Sequence, residues 1–539
     1  MSKRSKFTMH LVFAATAVLF LALLAFSMGL SAGTTAFAAE PEQTYNIYTV
    51  ADFVGYARAY AAGDRNPKDV LNISINSGSE ITDDTFISLG TAARPFAGTI
   101  DIPAAGIDTF RLFNCPLFDY VSTDMRITGA GVIKIIREKE SQTPAVGVLT
   151  SGAVFANHVV KGTNAASWTV QLLPYSGDGT AATDHEGLIG DIAATASVSV
   201  SFNNTSDLPV SKAGAAGLIC GTLGAGASLS VTTSGSGSAI TVTSTGGNAG
   251  SLVGTMQDGA TLTLASANAS RVSTVTGAGY AGGLVGSAVN PTVAFSTGVS
   301  PYTITSSVTG TSGAGGVFGY YKTQAASETF EADNYQFASG LTVSSSNNAG
   351  GFFGFLDSEC AAFTFDGCAS SSKSFSFVLS AGSARGGVAG RFRASALTSV
   401  FEVTDLDFTV NASGAYSAGV IGVVSDNPAY IHLHDLEVAS STNSPTGGLI
   451  GNLGEGGSFV DVKDVVVSDG FDAGLIGNMP QGILRIKGKT DFSAYTQTSS
   501  SAGLIARDRG RALIYAVGDG EGTGWTYKRN TSTSIDDIR

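Results

Sequence analysis

Apolar and polar residues alternate in short runs along most of this chain, and the runs come in sets. After Leu218 come Leu229 with Val231, then Ile240 with Val242; after Val388 come Phe401 with Val403, then Leu406, Phe408 and Val410. After Val420 the same order returns as Ile431 with Leu433 and then Leu436 with Val438. Residues two apart share one face of a strand, so each run predicts a short strand with one side in a core.

Each set begins with a small, apolar, apolar, Gly motif, as in Gly282-Gly283-Leu284-Val285-Gly286. Its first apolar residue falls at Leu188, Leu218, Leu252, Leu284, Val317, Phe352, Val388, Val420, Leu449, Leu475 and Leu504, in steps of 26 to 36 residues. Pro116-Leu117-Phe118 and Val148-Leu149 extend the register toward the N-terminus. Such self-similarity marks a repeat architecture. Three strands in about 32 residues describe one coil of a three-sided, right-handed parallel β-helix of about 11–13 turns. A β-propeller fits less well, because its blades need four strands and a period of about 40 or more residues. The paired glycines of the motif predict a sharp turn with positive φ and close backbone approach, and the trailing glycine predicts tight stacking of coils.

Before the strands lies one helical pattern. Phe53, Tyr56, Ala57 and Tyr60 fall on one face of residues 51–62; Thr49 with Asp52 forms a capping box, and Gly63 ends the helix. A helix there predicts a lid on the open end of the stack, where unpaired backbone would otherwise recruit other chains. Strands are also expected at residues 45–50, 70–75 and 86–89. The chain divides into a secretion signal (1–38), an N-terminal cap with the first β-helix turns (39–115), the repeats (116–506), and a C-terminal cap or the start of a further coil (507–539).

The signal assignment rests on Lys3, Arg4 and Lys6, the apolar stretch from Leu11 to Leu30, and the cleavage pattern Ala36-Phe37-Ala38; an uncleaved anchor is the alternative. The protein is therefore expected outside the cell or on its surface. The 539 residues carry a formal charge of -13, and only 14% are charged. Losing the three basic residues of the signal makes the chain more acidic still, which argues against nucleic acid as a partner. Four cysteines (Cys115, Cys220, Cys360, Cys368) are too few for a disulfide framework; Cys360 and Cys368 could pair across a turn, or all could be free buried thiols.

The spaced Gly-apolar-apolar-Gly motif behind a secretion signal resembles the GLUG-motif repeats of bacterial adhesin-like cell-surface proteins, over residues 44–506. That resemblance implies an extracellular, elongated module for attachment or display, with host or neighbouring-cell surface glycans or proteins as partners. Some relatives are zinc peptidases with an H-E-x-x-H helix. Here His185-Glu186 is followed by Ile189 in the place of the second His, so that activity is not expected. No Leu-Pro-x-Thr-Gly sorting signal appears.

Glu402, Asp407, Asp435, Glu437, Asp461 and Asp464 form an acidic ladder across three coils, with Arg385, Arg391 and Arg393 one coil earlier. Carboxylates beside a cation could cleave polysaccharide, the alternative function; alternation places them on the solvent face, where solubilising charges also go. His432 and His434 share a strand face beside Asp435, but two ligands do not define a metal site. Arg507 to Arg529 with Trp525 and Tyr527 could touch sugar rings or form a polar cap. The sequence assigns no catalytic, metal or cofactor-binding residue, and no cofactor is expected.

Overall fold

The computed structural model describes residues 41–517 except 76–86, 104–108, 114–115, 130, 140–151, 175–179, 182–183, 236–239, 266–271, 300, 368–373, 395–398, 413–415, 441–446, 469–473, 489, 491–504 and 509–511. The expected signal, the Val148-Leu149 and Leu504 copies of the motif, Cys115, Cys368, Trp525 and Tyr527 lie outside the described residues.

The chain is all-β and winds as a parallel β-solenoid of about 11 turns. Helix α1 (Val50–Ala62) precedes it, with Thr49 and Asp52 making the capping box and Gly63 ending it at φ +96. Phe53, Tyr56, Ala57 and Tyr60 are buried, and α1 packs on the first coils through Phe53 against Phe110 and Tyr60 against Phe96. The helix thus buries the apolar face that the sequence predicts against the first coils. Among the described residues no helix is long and apolar enough to cross a membrane.

Three sides run along the solenoid. The first is a continuous sheet of thirteen strands from Phe118–Ser122 to Ile505–Asp508, and it corrects the expected register in two coils, where Ala156 and Cys220, rather than Leu149 and Ile219, take the place of the second apolar residue opposite Ile189. The second includes Ala166–Leu173, Ser197–Asn204, Ser228–Ser234, Thr261–Leu264 and Thr292–Phe295. The third includes Ile240–Ser244, Val272–Gly277, Ser307–Gly310, Thr342–Ser345 and Ser374–Ala381. In the later coils the second and third sides join: Val400–Ala412 pairs with Ala362–Asp366 through its first half and with Ser374–Ala381 through its second. The bend falls at Asp405, Asp435 and Asp464, stacked in successive coils with φ of 55, 55 and 52. Among non-glycine residues, Asp is one of the few that tolerates this left-handed conformation.

A fourth, narrow ladder fills the corner before the motif, in strands such as Tyr280–Gly282 and Gly313–Gly315. This corner corrects one expectation. The paired glycines of the motif do not adopt positive φ; in the copy at Leu188, Gly187 does, at +100. Their smallness is needed for contact between coils. A Cβ added at Gly283, Gly316, Gly351, Gly387, Gly419 or Gly448 would lie 2.0–2.4 Å from the carbonyl oxygen of the matching glycine one coil on. Amide-to-carbonyl bonds cross there too, from Gly283 to Gly315 at 3.1 Å and from Gly351 to Gly386 at 3.0 Å. The trailing glycines stack as expected: a Cβ on Gly286 would stand 2.5 Å from the Gly254 oxygen.

The two apolar residues of each motif are buried from Leu188-Ile189 to Leu475-Ile476, as are the alternating residues of the sides. Cys220 and Cys360 are free and buried. Cys360 lies 3.2 Å from the Thr323 hydroxyl, and its expected partner Cys368 lies outside the described residues. Burial pushes the Cys220 thiol up to about 12 and leaves it protonated.

Two glycines separate the roles of contact and conformation. Gly351→Ala places its methyl against the Gly387 oxygen and the Phe377 ring, so it should lower the stability read from denaturant melts by about 1–3 kcal/mol. Gly55→Ala, exposed on α1 with nothing near the new methyl, should raise it by about 0.5–1 kcal/mol.

Candidate functional site

Parallel, in-register stacking brings like positions of successive coils side by side, about 4.8 Å apart. Outward residues therefore form rows. On the third side Ser211, Thr243, Thr276, Thr309, Ser344 and Ser380 stand in one unbroken row over six coils. On the second side Ser197, Ser228, Thr261 and Thr292 form another, with Ser199, Ser230 and Thr263 beside it. These hydroxyls have solvent on one side and a rigid sheet behind them.

Toward the C-terminal end the rows become ionic. Glu402, His432, Asp461 and Arg485 occupy one row, and Thr404, His434, Lys463 and Lys487 the next. Asp461 was expected on the solvent face with its neighbours, but is only 3% exposed. Arg485 covers it, donating from Nε at 3.0 Å and from Nη2, and Lys487 approaches to 3.3 Å. Burial pushes its carboxyl upward, but the hydrogen bonds and charge of Arg485, then those of Lys487, outweigh this and hold it below the ordinary aspartate range. His434 lies 3.9 Å from both Glu402 and Asp461. Burial lowers its basicity against the pull of Asp461, so it is neutral at pH 7. The His432 and His434 rings stack with centroids 5.6 Å apart. Among the described residues no three His, Cys, Asp or Glu side chains are grouped to hold a metal.

The remaining acids divide. Asp407 and Glu437 are neighbours across adjacent strands, and burial raises the Asp407 carboxyl. Asp405, Asp435 and Asp464 belong to the bend. The arginines expected beside the ladder are elsewhere. Arg391 and Arg393 lie on the first side, where Arg393 binds Asp357 with a bidentate contact and Arg391 reaches Ser425 at 2.8 Å. Arg385 is buried in the corner, 3.4 Å from the Ser417 hydroxyl. His185 is buried at another corner, its Nδ1 accepting from the Gly187 amide at 3.0 Å, and is not on a helix.

The second side is interrupted between Thr292–Phe295 and Ser327–Glu331, which do not pair with each other. The same two coils are joined just before, from the Asn290 amide to the Lys322 oxygen at 2.8 Å, and just after, where Tyr302–Ile304 pairs with Tyr335–Phe337. Between these ties is a cavity of about 310 Å³. Its rim includes the exposed Thr292 and Thr329, and Phe318, Tyr321 and Tyr335 are buried in its floor. Glu328 takes a core-facing position that Phe363, Phe401, Ile431 and Val460 fill in the following coils. A carboxylate within the alternation of Ser327-Glu328-Thr329-Phe330 is the signal that could have found this site.

No family model, curated protein or solved structure matches the chain. The class to which it belongs, the parallel β-solenoids, follows from its strand pairing.

The Asp461 cluster should make the C-terminal coils sensitive to acid. Its folded-state pKa is depressed, so its contribution is present above the ordinary aspartate range of about 4 and is lost as pH falls through the folded value. Asp461→Asn should cost about 2 kcal/mol at pH 7 and less at pH 2–3. That is below the figure for a fully buried pair because Arg485 and Lys487 keep 35% and 30% exposure. Denaturant melts across pH measure both values.

Proposed function

We propose that this protein is an extracellular, adhesin-like attachment or display module, as its resemblance to GLUG-motif surface proteins implies, with surface glycans or proteins as partners. The observation that carries the reading is the six-coil hydroxyl row from Ser211 to Ser380. A hydroxyl both donates and accepts, so each position can make one weak hydrogen bond to a sugar or peptide group. Because the backbone fixes the spacing, ordering the row costs little further entropy when a polymer lies along it. Many weak contacts then add through effective concentration, and no single pocket is required. The acidic exterior adds long-range repulsion toward other polyanions and favours neutral or cationic partners.

A polysaccharide-cleaving activity is the second reading, supported by the raised Asp407 carboxyl beside Glu437. A carboxyl that holds its proton more tightly than usual, with a second carboxyl beside it, is what acid–base cleavage of a glycosidic bond uses.

Glycan and matrix-protein arrays test both. Attachment through the row predicts binding to polymers and none to the matching monosaccharide. Replacing Thr243, Thr276 and Thr309 together by Lys should weaken attachment by about tenfold or more, and any one alone by about threefold or less. Loss of all binding from one of these single changes would sink the repeated-contact account. Release of sugar products, abolished by Asp407→Ala with Glu437→Ala, would establish the enzyme instead.

A further inference from the structure

We propose that the cavity interrupting the second side is a binding site for a small organic ammonium group. This inference is independent of the attachment reading, because it concerns one open pocket and not a repeated face.

The solenoid forms coil-to-coil hydrogen bonds on both sides of this gap, so the gap is local. The ties at Asn290–Lys322 and at Tyr302–Tyr335 close both of its ends, so an extended peptide cannot run through it as an added strand. What it can admit is a compact group entering from the surface. A cavity of about 310 Å³ lies at the lower end of the range for small-molecule sites.

Its lining has one kind of electrostatics. Phe295, Phe318, Tyr321, Phe330 and Tyr335 supply aromatic walls, and they meet at varied angles. Phe295 stands 83° to Tyr335 at 5.5 Å, Phe318 stands 76° to Tyr321 at 4.8 Å, and Phe330 is parallel to Tyr335 at 5.3 Å. Glu328 and Glu331 add two carboxylates, while among the described residues no lysine, arginine or histidine lines the cavity. Ring faces are negative, so aromatic walls with carboxylates attract a cation whose surrounding carbons also bury apolar surface. A bare metal ion would need several oxygen ligands, which this lining does not gather.

Glu328 gives the independent indication of a ligand. Its half-buried side chain occupies the core-facing row and accepts a hydrogen bond from the hydroxyl of the buried Tyr321. A carboxylate in an otherwise apolar row destabilises the wall unless it is paired. Tyr321 satisfies one oxygen and carries no charge, which leaves the carboxylate able to pair with an incoming cation. Glu331, at the exposed mouth, accepts from Asn334 at 2.8 Å and places a second negative charge at the opening.

The test uses the full chain and isothermal titration with four probes: choline, its uncharged isostere 3,3-dimethylbutan-1-ol, glucosamine and N-acetylglucosamine. At least one ammonium probe should bind about tenfold or more tightly than its uncharged partner. Choline alone would identify a quaternary ammonium headgroup as the natural ligand, and glucosamine alone an amino sugar; either supports the site. Glu328→Gln and Phe330→Leu should each weaken that binding by about tenfold, and Glu402→Gln, on a later coil, should leave it unchanged. Tyr321→Phe releases Glu328 and should tighten binding by about threefold, a gain that misfolding would not produce. Equal affinity for charged and uncharged partners, no saturable binding of either ammonium probe, or unaltered charge selectivity in Glu328→Gln would each overturn the proposal.

Discussion

Hydrogen bonds between the backbones of successive coils are the interaction on which the rest of this structure depends. They run along three sides and continue through the corner, where Gly283 reaches Gly315 and Gly351 reaches Gly386. A solenoid coil cannot satisfy its own polar backbone; only the next coil can do so. Because a Cβ at Gly283 or Gly351 would sit 2.0–2.2 Å from the carbonyl oxygen of a glycine one coil on, these positions of the corner close only without side chains. The recurrent motif is therefore a condition for continuous pairing. Its apolar pair fills the core, and its glycines remove the steric obstacle to the neighbouring coil.

In-register pairing turns sequence drift between coils into variation along the axis. The N-terminal and central coils present hydroxyl rows, whereas the later coils present ion pairs around Asp461 and aspartates at the bend. Where one coil takes a longer route, as at Ser327–Glu331, the wall opens and aromatic core residues line the opening. Function on such a scaffold belongs to rows and interruptions, since the corner itself has no space for a ligand.

The period, the inward residues and the capped helix were legible because each is local: alternation, a capping box and a recurring glycine motif act within a few residues. The positions of charges were only partly legible. Asp461 alternates outward like Glu402, but Arg485 and Lys487, one coil later, cover it; which side chain overlies another depends on register across some 25 residues. Arg391 and Arg393 follow the motif closely and so fall on the first side, away from the acids of the next coil. The gap at Glu328 was hidden for a related reason. Pairing between Thr292–Phe295 and Ser327–Glu331 depends on how many residues each coil spends at the preceding corner.

Serial stacking also decides how such a molecule meets mechanical load. Tension applied across the ends of a solenoid bears first on the hydrogen bonds between a terminal coil and its neighbour, and these open in sequence. Each coil of about 32 residues, once peeled away, releases about 100 Å of extended chain. Unravelling would proceed stepwise from an end, dissipating energy at each coil while the remaining stack keeps its shape. The glycine corner, which permits the closest coil contact, would be one line along which each step begins.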